Sequence, residues 1–427
     1  MDCLIELINQ HKDGEAVGIY SVCSAHPLVL EAALQQGLKD NKPVLIEATS
    51  NQVNQFGGYT GMQAKDFAEM VYQLADKVGL AKEQVLLGGD HLGPNCWQSL
   101  DAEDAMAKSE VLIDSYVAAG FRKIHLDCSM SCKGDPVPVT DEIVAERAAH
   151  LCKVAEDAWQ KVGGEKPVYI VGTEVPVPGG AQENLENELE LTKPEDAVTT
   201  INAHRDAFEK AGVSHAWSRV VGLVVQPGVE FDHHKVIIYQ SEKAQSLSKV
   251  VDQYPQMVFE AHSTDYQIPA AYNALVQDHF AILKVGPALT FALREALFAL
   301  DLVEQEWLGV EASSKLRETV EKVMTEEPKY WQSYYQEEGH QLKLDRVYSL
   351  SDRIRYYWPH TDIQRSLEKL FENLASKPAP LTILSQYLPE QMQAIARGEI
   401  DNTPEQIVIN KIMEVTAMYS QACFQNS

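Results

Sequence analysis

The chain has 427 residues, 45% of them hydrophobic, enough to bury a large core in about one to three domains. Its formal net charge of −26 argues against a nucleic-acid partner, which requires a basic stripe, and fits a protein acting on small molecules. Seven cysteines, odd in number and without a CxxC pair, indicate neither a disulfide framework nor a zinc ribbon, and reduced thiols in a cytoplasmic protein are expected.

Strand-like and helix-like segments alternate from residue 17 to about 305. Val17–Cys23 reads as the first strand, and Pro27 opens a helix through Leu38. Pro43–Ala48 is the second strand, followed by a helix over Ala64–Val78. Val85-Leu-Leu-Gly-Gly89 is the third, and Asp90-His91 are expected just past its last paired residue, with Pro94 and Asn95 holding a loop. A helix over Ala102–Ala119 precedes strand four, Lys123–Asp127, and a long helix over Asp141–Lys161 precedes strand five, Val168–Glu174. Strands six to eight are Arg219–Val225, Met257–Glu260 and Phe280–Val285, and a helix over Ala288–Glu304 closes the count.

Eight such pairs, with strands apolar on both faces, predict a closed (β/α)8 TIM barrel over residues 1–305. No GxGxxG follows any strand to favour an open doubly wound sheet. Residues 306–427 turn to amphipathic stretches, such as Ser313–Glu327 and Thr403–Tyr419, and read as a helical extension packed on the barrel. No apolar run approaches the ~18 residues of a membrane span.

Chemistry in a β/α barrel stands at the C-terminal ends of the strands. Here those ends offer Ser24 and His26; Glu47, Ser50 and Asn51; Asp90 and His91; Asp127; Glu174; Gln226; Glu260 and His262; and Lys284. Polar groups at every strand end are costly for a scaffold that only has to fold. Each also has a plain structural reading: Asp90 as a loop cap, His91 as a donor to a carbonyl, Glu174 as the partner of Lys284 or Arg219. The loop Thr49–Gly61, rich in amides, hydroxyls and glycines, suits sugar hydroxyls. The helix opening at Gly286-Pro-Ala-Leu-Thr-Phe-Ala-Leu-Arg294 is an expected phosphate site, and Arg353 or Arg355 in Tyr348–Trp358 is expected over the mouth as a second.

Several stretches together resemble a known family. They are Cys23-Ser-Ala-His26, Ile46–Gly61, Gly88-Gly-Asp-His-Leu-Gly-Pro-Asn95, Gly172–Gly180, Val225–His233 and Tyr348–Trp358. They are similar, essentially end to end, to the Z-type subunits of D-tagatose-1,6-bisphosphate aldolase, themselves related to class II aldolases. The resemblance implies a non-catalytic, chaperone-like subunit that sustains the activity and stability of a catalytic Y-type class II aldolase subunit in galactitol or N-acetylgalactosamine catabolism through tagatose 6-phosphate. It also implies an oligomer, a sugar phosphate ligand, and no nucleic-acid or membrane partner. No Walker-type GxxxxGK[ST] loop supports a kinase.

By the same resemblance Asp90 and His91 match the proton-handling acid and zinc histidine of class II aldolases, whereas the two other zinc histidines are replaced at Gln226 and Glu260. Glutamine is a poor zinc ligand, so no cofactor is firmly expected. The alternative is a metal-dependent ketose-phosphate aldolase or C4-epimerase, active alone. It would use a divalent metal such as zinc on His91, Glu260 and His262, with Asp90, Glu47 and Glu174 as catalytic groups. Ser50, Asn51, Gln226, Lys284, Arg294 and Arg353 are the expected substrate-binding residues.

Overall fold

The computed structural model describes residues 2–173, 175, 180, 181, 185 and 189–424. Eight parallel strands close into a barrel in sequential order: β1 Ile19–Val22, β2 Val44–Thr49, β3 Val85–Leu92, β4 Lys123–Leu126, β5 Val168–Val171, β6 Val220–Val225, β7 Val258–Ala261 and β8 Ile282–Val285. Closure is made by β1 on β8, with Ile19 paired to Ile282 and Val22 to Val285. The strands read as continuous apolar runs because one face meets the surrounding helices and the other meets the barrel axis.

Local signals place the helices. Pro27 begins a helix to Asp40 at a position where its missing N–H costs nothing, and the His26 ring caps it by accepting the Leu28 N–H. Thr140 caps Asp141–Val162 in the same way, through its hydroxyl. The helix after β8 runs Pro287–Leu308, past residue 305.

The C-terminal region is helical, ending in Pro404–Phe424. That helix returns to the barrel: Gly18 N–H donates to Cys423 O at 3.0 Å, and Tyr419 Oη–H to Thr264 O at 2.9 Å. One contiguous set of buried apolar side chains runs from Leu4 through the barrel to Trp358, Leu370, Ile407 and Tyr419. No helix among the described residues is long and apolar enough to cross a membrane.

Candidate active-site cleft at the barrel mouth

β3 does not end at Gly89 as the sequence suggests. The strand runs on to Leu92: Asp90 pairs with Thr49 of β2 and Leu92 with Leu126 of β4, and the register with β4 slips between Gly89 and Leu92. The slip is a bulge, a device that re-aims side chains. His91 adopts the left-handed φ of 49°, and both Asp90 and His91 are buried. Ser50 braces this turn: its hydroxyl donates to His91 O at 2.8 Å. His91 Nδ1 lies 2.7 Å from Asp127 Oδ2, while Asp127 Oδ1 accepts both the N–H and the hydroxyl of Ser129. Burial favours neutral His91, but the charges of Asp90 and Asp127 outweigh it and raise its pKa.

Beneath this turn the barrel axis is filled with charge. Lys123, wholly buried, places Nζ 2.5 Å from Glu47 Oε1 and 2.7 Å from Glu260 Oε2. Lys284 Nζ bonds Glu47 Oε2 and stands 3.1 Å from Asp90 Oδ1. Burial pushes the carboxyls of Asp90 and Glu260 up, yet both end well below the usual range. His91 and Lys284 hold Asp90 down, and Lys123 and Lys284 hold Glu260 down. Both lysines are raised despite burial, chiefly by Glu260 for Lys123 and Asp90 for Lys284.

Four of these groups converge as a candidate metal centre. One ligand atom from each of Asp90, His125, Glu260 and His262 lies within 4.8 Å of the others. His125 Nδ1–H donates to Asp90 Oδ1 at 2.8 Å and His262 Nε2–H to Glu260 Oε1 at 2.9 Å, tautomers assigned from these partners. His125 Nε2 is then a buried lone pair with no hydrogen-bond partner. Burial lowers the His262 pKa to about 4, keeping it neutral as a ligand must be. Two imidazoles and two carboxylates are a donor set that fits a divalent ion. Glu260 and His262 are there as the sequence suggests. Asp90 and His125 complete the set, and His91 stands at its edge, its ring centroid 5.1 Å from that of His262.

Above the cluster opens a cleft of about 80 Å³, lined by Cys23, Asn51, Tyr59, Asp265, Arg355 and Tyr356 together with Asp90, His91, His262 and Lys284. Asn51 and Lys284 therefore stand where the sequence puts them. Four expectations are corrected. Ser50 is turned to the backbone of β3. The Gln226 amide oxygen accepts from Gly228 and Val229 N–H, shaping its own loop. Arg294 lies 4.1 Å over the Phe291 ring and 5.4 Å from that of Tyr348, outside the cleft lining. Arg353 stacks 3.5 Å over Tyr334 and donates to Tyr330 O, leaving the mouth to Arg355. Glu174 lies outside the described residues.

The expected phosphate site is also taken. Asp265 Oδ1 accepts Gly286 N–H at 3.0 Å and Ala288 N–H at 2.8 Å, so an internal carboxylate satisfies the start of the helix after β8. Burial raises Asp265 to about 6 even so. Lys123, His125 and Asp265 are the site residues that sequence reasoning missed. Lys123 and His125 had a signal: two polar residues at i and i+2 in an apolar strand share a face.

Fold and site together define a parallel β/α barrel with a buried acid, lysine and histidine cluster under a polar mouth. The chain matches the family model "D-tagatose-1,6-bisphosphate aldolase subunit GatZ/KbaZ-like" over residues 4–424 and belongs to that family. It is similar to the solved structure of a probable tagatose 6-phosphate kinase from Sinorhizobium meliloti 1021, at 48% identity over 95% of this chain and 100% of that one, with a TM-score of 0.87. A fructose-bisphosphate aldolase from Campylobacter jejuni matches at 16% identity over 87% of this chain and 93% of that one, with a TM-score of 0.42.

Proposed function

We propose that this chain is a non-catalytic subunit that binds and stabilises a catalytic Y-type class II aldolase subunit in tagatose 6-phosphate breakdown, holding a sugar phosphate at its own mouth. It acts in the cytoplasm as part of an oligomer, with a barrel over 1–305 and an extension over 306–427. The observation that carries this reading is the mutual neutralisation of the interior. General acid–base groups work best with pKa values near the operating pH. Here Lys123 Nζ lies 2.5 Å from Glu47 and 2.7 Å from Glu260, and Lys284 Nζ 3.1 Å from Asp90, so the groups that could carry protons are tied to one another. Lys284 is tied to Glu47 and Asp90, which leaves Arg355 as the cation at the cleft lining for a phosphate.

The purified chain is expected to carry no stoichiometric zinc, manganese or nickel, and to turn over neither tagatose nor fructose phosphates. Added to the catalytic subunit, it raises that subunit's melting temperature, since a ligand of the folded form alone stabilises it. Equal melting with and without it would sink the proposal.

A second reading, a metal-dependent ketose-phosphate aldolase or C4-epimerase active alone, is favoured by one observation: the unpartnered lone pair of His125 Nε2. Asp90, His125, Glu260 and His262 would hold the ion. When bound, the ion supplies a Lewis acid that polarises the ketose carbonyl and stabilises an enediolate. Stoichiometric metal, lost together with turnover in His125→Ala, selects this reading over the first.

A further inference from the structure

A second cavity of about 600 Å³ lies beside the mouth, between the barrel and the extension. Leu28, Met62 and Met70 wall it from the barrel side, and Trp358, Leu367 and Phe371 from the other. Leu367 and Phe371 fall four residues apart on the helix Thr361–Ser376 and so share a face. Glu368 and Glu372 flank them, both exposed, and neither has an ion-pair partner among the described residues.

Two aromatic rings, Trp358 and His26, stand in the same wall. The Trp358 indole N–H is buried, its residue 1% exposed, and has no acceptor. His26 accepts at Nδ1, so its proton is on Nε2, and its ring meets Trp358 edge-on at 6.1 Å. The lining is mostly apolar, and thioethers adapt to irregular guests. The groove is continuous with the mouth: Cys23, Gln52, Tyr59 and Arg355 line both.

We propose that this groove is the docking site for a segment of the catalytic aldolase subunit bearing a bulky apolar side chain flanked by lysine or arginine. The apolar side chain enters between Leu367, Phe371 and the methionines, and the cation meets Glu368 and Glu372. The choice of occupant rests on the partner role proposed above and on the two uncompensated carboxylates, which call for a basic guest. Because Arg355 and Tyr59 belong to both cavities, the docked segment touches the wall of the sugar-phosphate cleft.

The test co-expresses the chain with the catalytic subunit of a tagatose-bisphosphate aldolase and measures complex mass and affinity. Phe371→Glu and the double variant Glu368→Lys/Glu372→Lys are each expected to weaken the complex at least about tenfold, while the variant chains alone keep the wild-type circular dichroism and melting. Should Phe371→Glu fail to fold, the exposed charge pair decides the question. Wild-type affinity in the charge pair overturns the proposal and leaves the partner role standing. A wild-type chain that forms no complex overturns both. A dimer of the chain alone that Phe371→Glu dissociates assigns the groove to a second copy and overturns the proposal as well.

Discussion

The two cavities share a wall and are built on opposite terms. The mouth is small and stands over ionised groups held at ion-pair distance: Glu47, Asp90 and Glu260 against Lys123 and Lys284. The groove next to it is several times larger and mostly apolar. A network of paired charges is closed, and removing one member leaves the others stranded. An apolar groove is open, and removing a side chain from it merely enlarges space that already exists.

The contrast breaks most sharply at Lys123. Lys123→Met leaves Glu47 and Glu260 to Lys284 alone, whose Nζ is 4.0 Å from Glu260, and is expected to cost about 3–5 kcal/mol of unfolding free energy. A denaturant titration showing less than about 1 kcal/mol would mean the interior charges are not closed on themselves. A smaller effect is expected at Glu230, beside the mouth but without a lysine or arginine partner among the described residues. Burial pushes its carboxyl up to about 7, from an ordinary 4.5. A raised carboxyl binds its proton more tightly in the folded state, so its contribution to stability falls as pH rises from 4.5 through 7. Glu230→Gln should therefore gain about 2–3 kcal/mol at pH 8, and the gain should vanish toward pH 4. Melting curves with a pH-independent difference would rule this out.

The smallest effect belongs to the groove. Leu367→Ala removes a side chain that already borders empty space, and should cost about 2 kcal/mol or less, at the bottom of the usual range for buried leucine. Leu283→Ala, wholly buried in β8, should cost about 3–5 kcal/mol. If both lose the same amount, the groove is not a preformed cavity.

The barrel was legible because strands buried on both faces announce themselves as apolar runs, and each of the eight runs holds a strand of the closed sheet. The site was legible where a polar residue stands at a strand end: Asn51, His262 and Lys284 line the mouth, and Glu260 lies beneath it. Gln226 fits that description too, yet its amide is spent on the turn that follows, which composition does not reveal. Lys123 shares a face with His125 two residues on, but at a strand's first residue lysine reads as a solvated flank, so that spacing alone did not mark it. Asp265 was hidden by distance along the chain, since nothing in residues 286–294 says that a carboxylate twenty-one positions earlier has claimed their N–H groups.

Gly88 of β3 shapes the centre of the barrel through the side chain it lacks. A methyl group at that position would lie 2.8 Å from Glu47 Cγ and 3.1 Å from Glu47 Cδ. The acid at the centre of the barrel thus occupies a berth vacated by the neighbouring strand. Even alanine at 88 would turn Glu47 out of its seat between two ammonium groups, and the polar interior would come apart from its most inconspicuous residue.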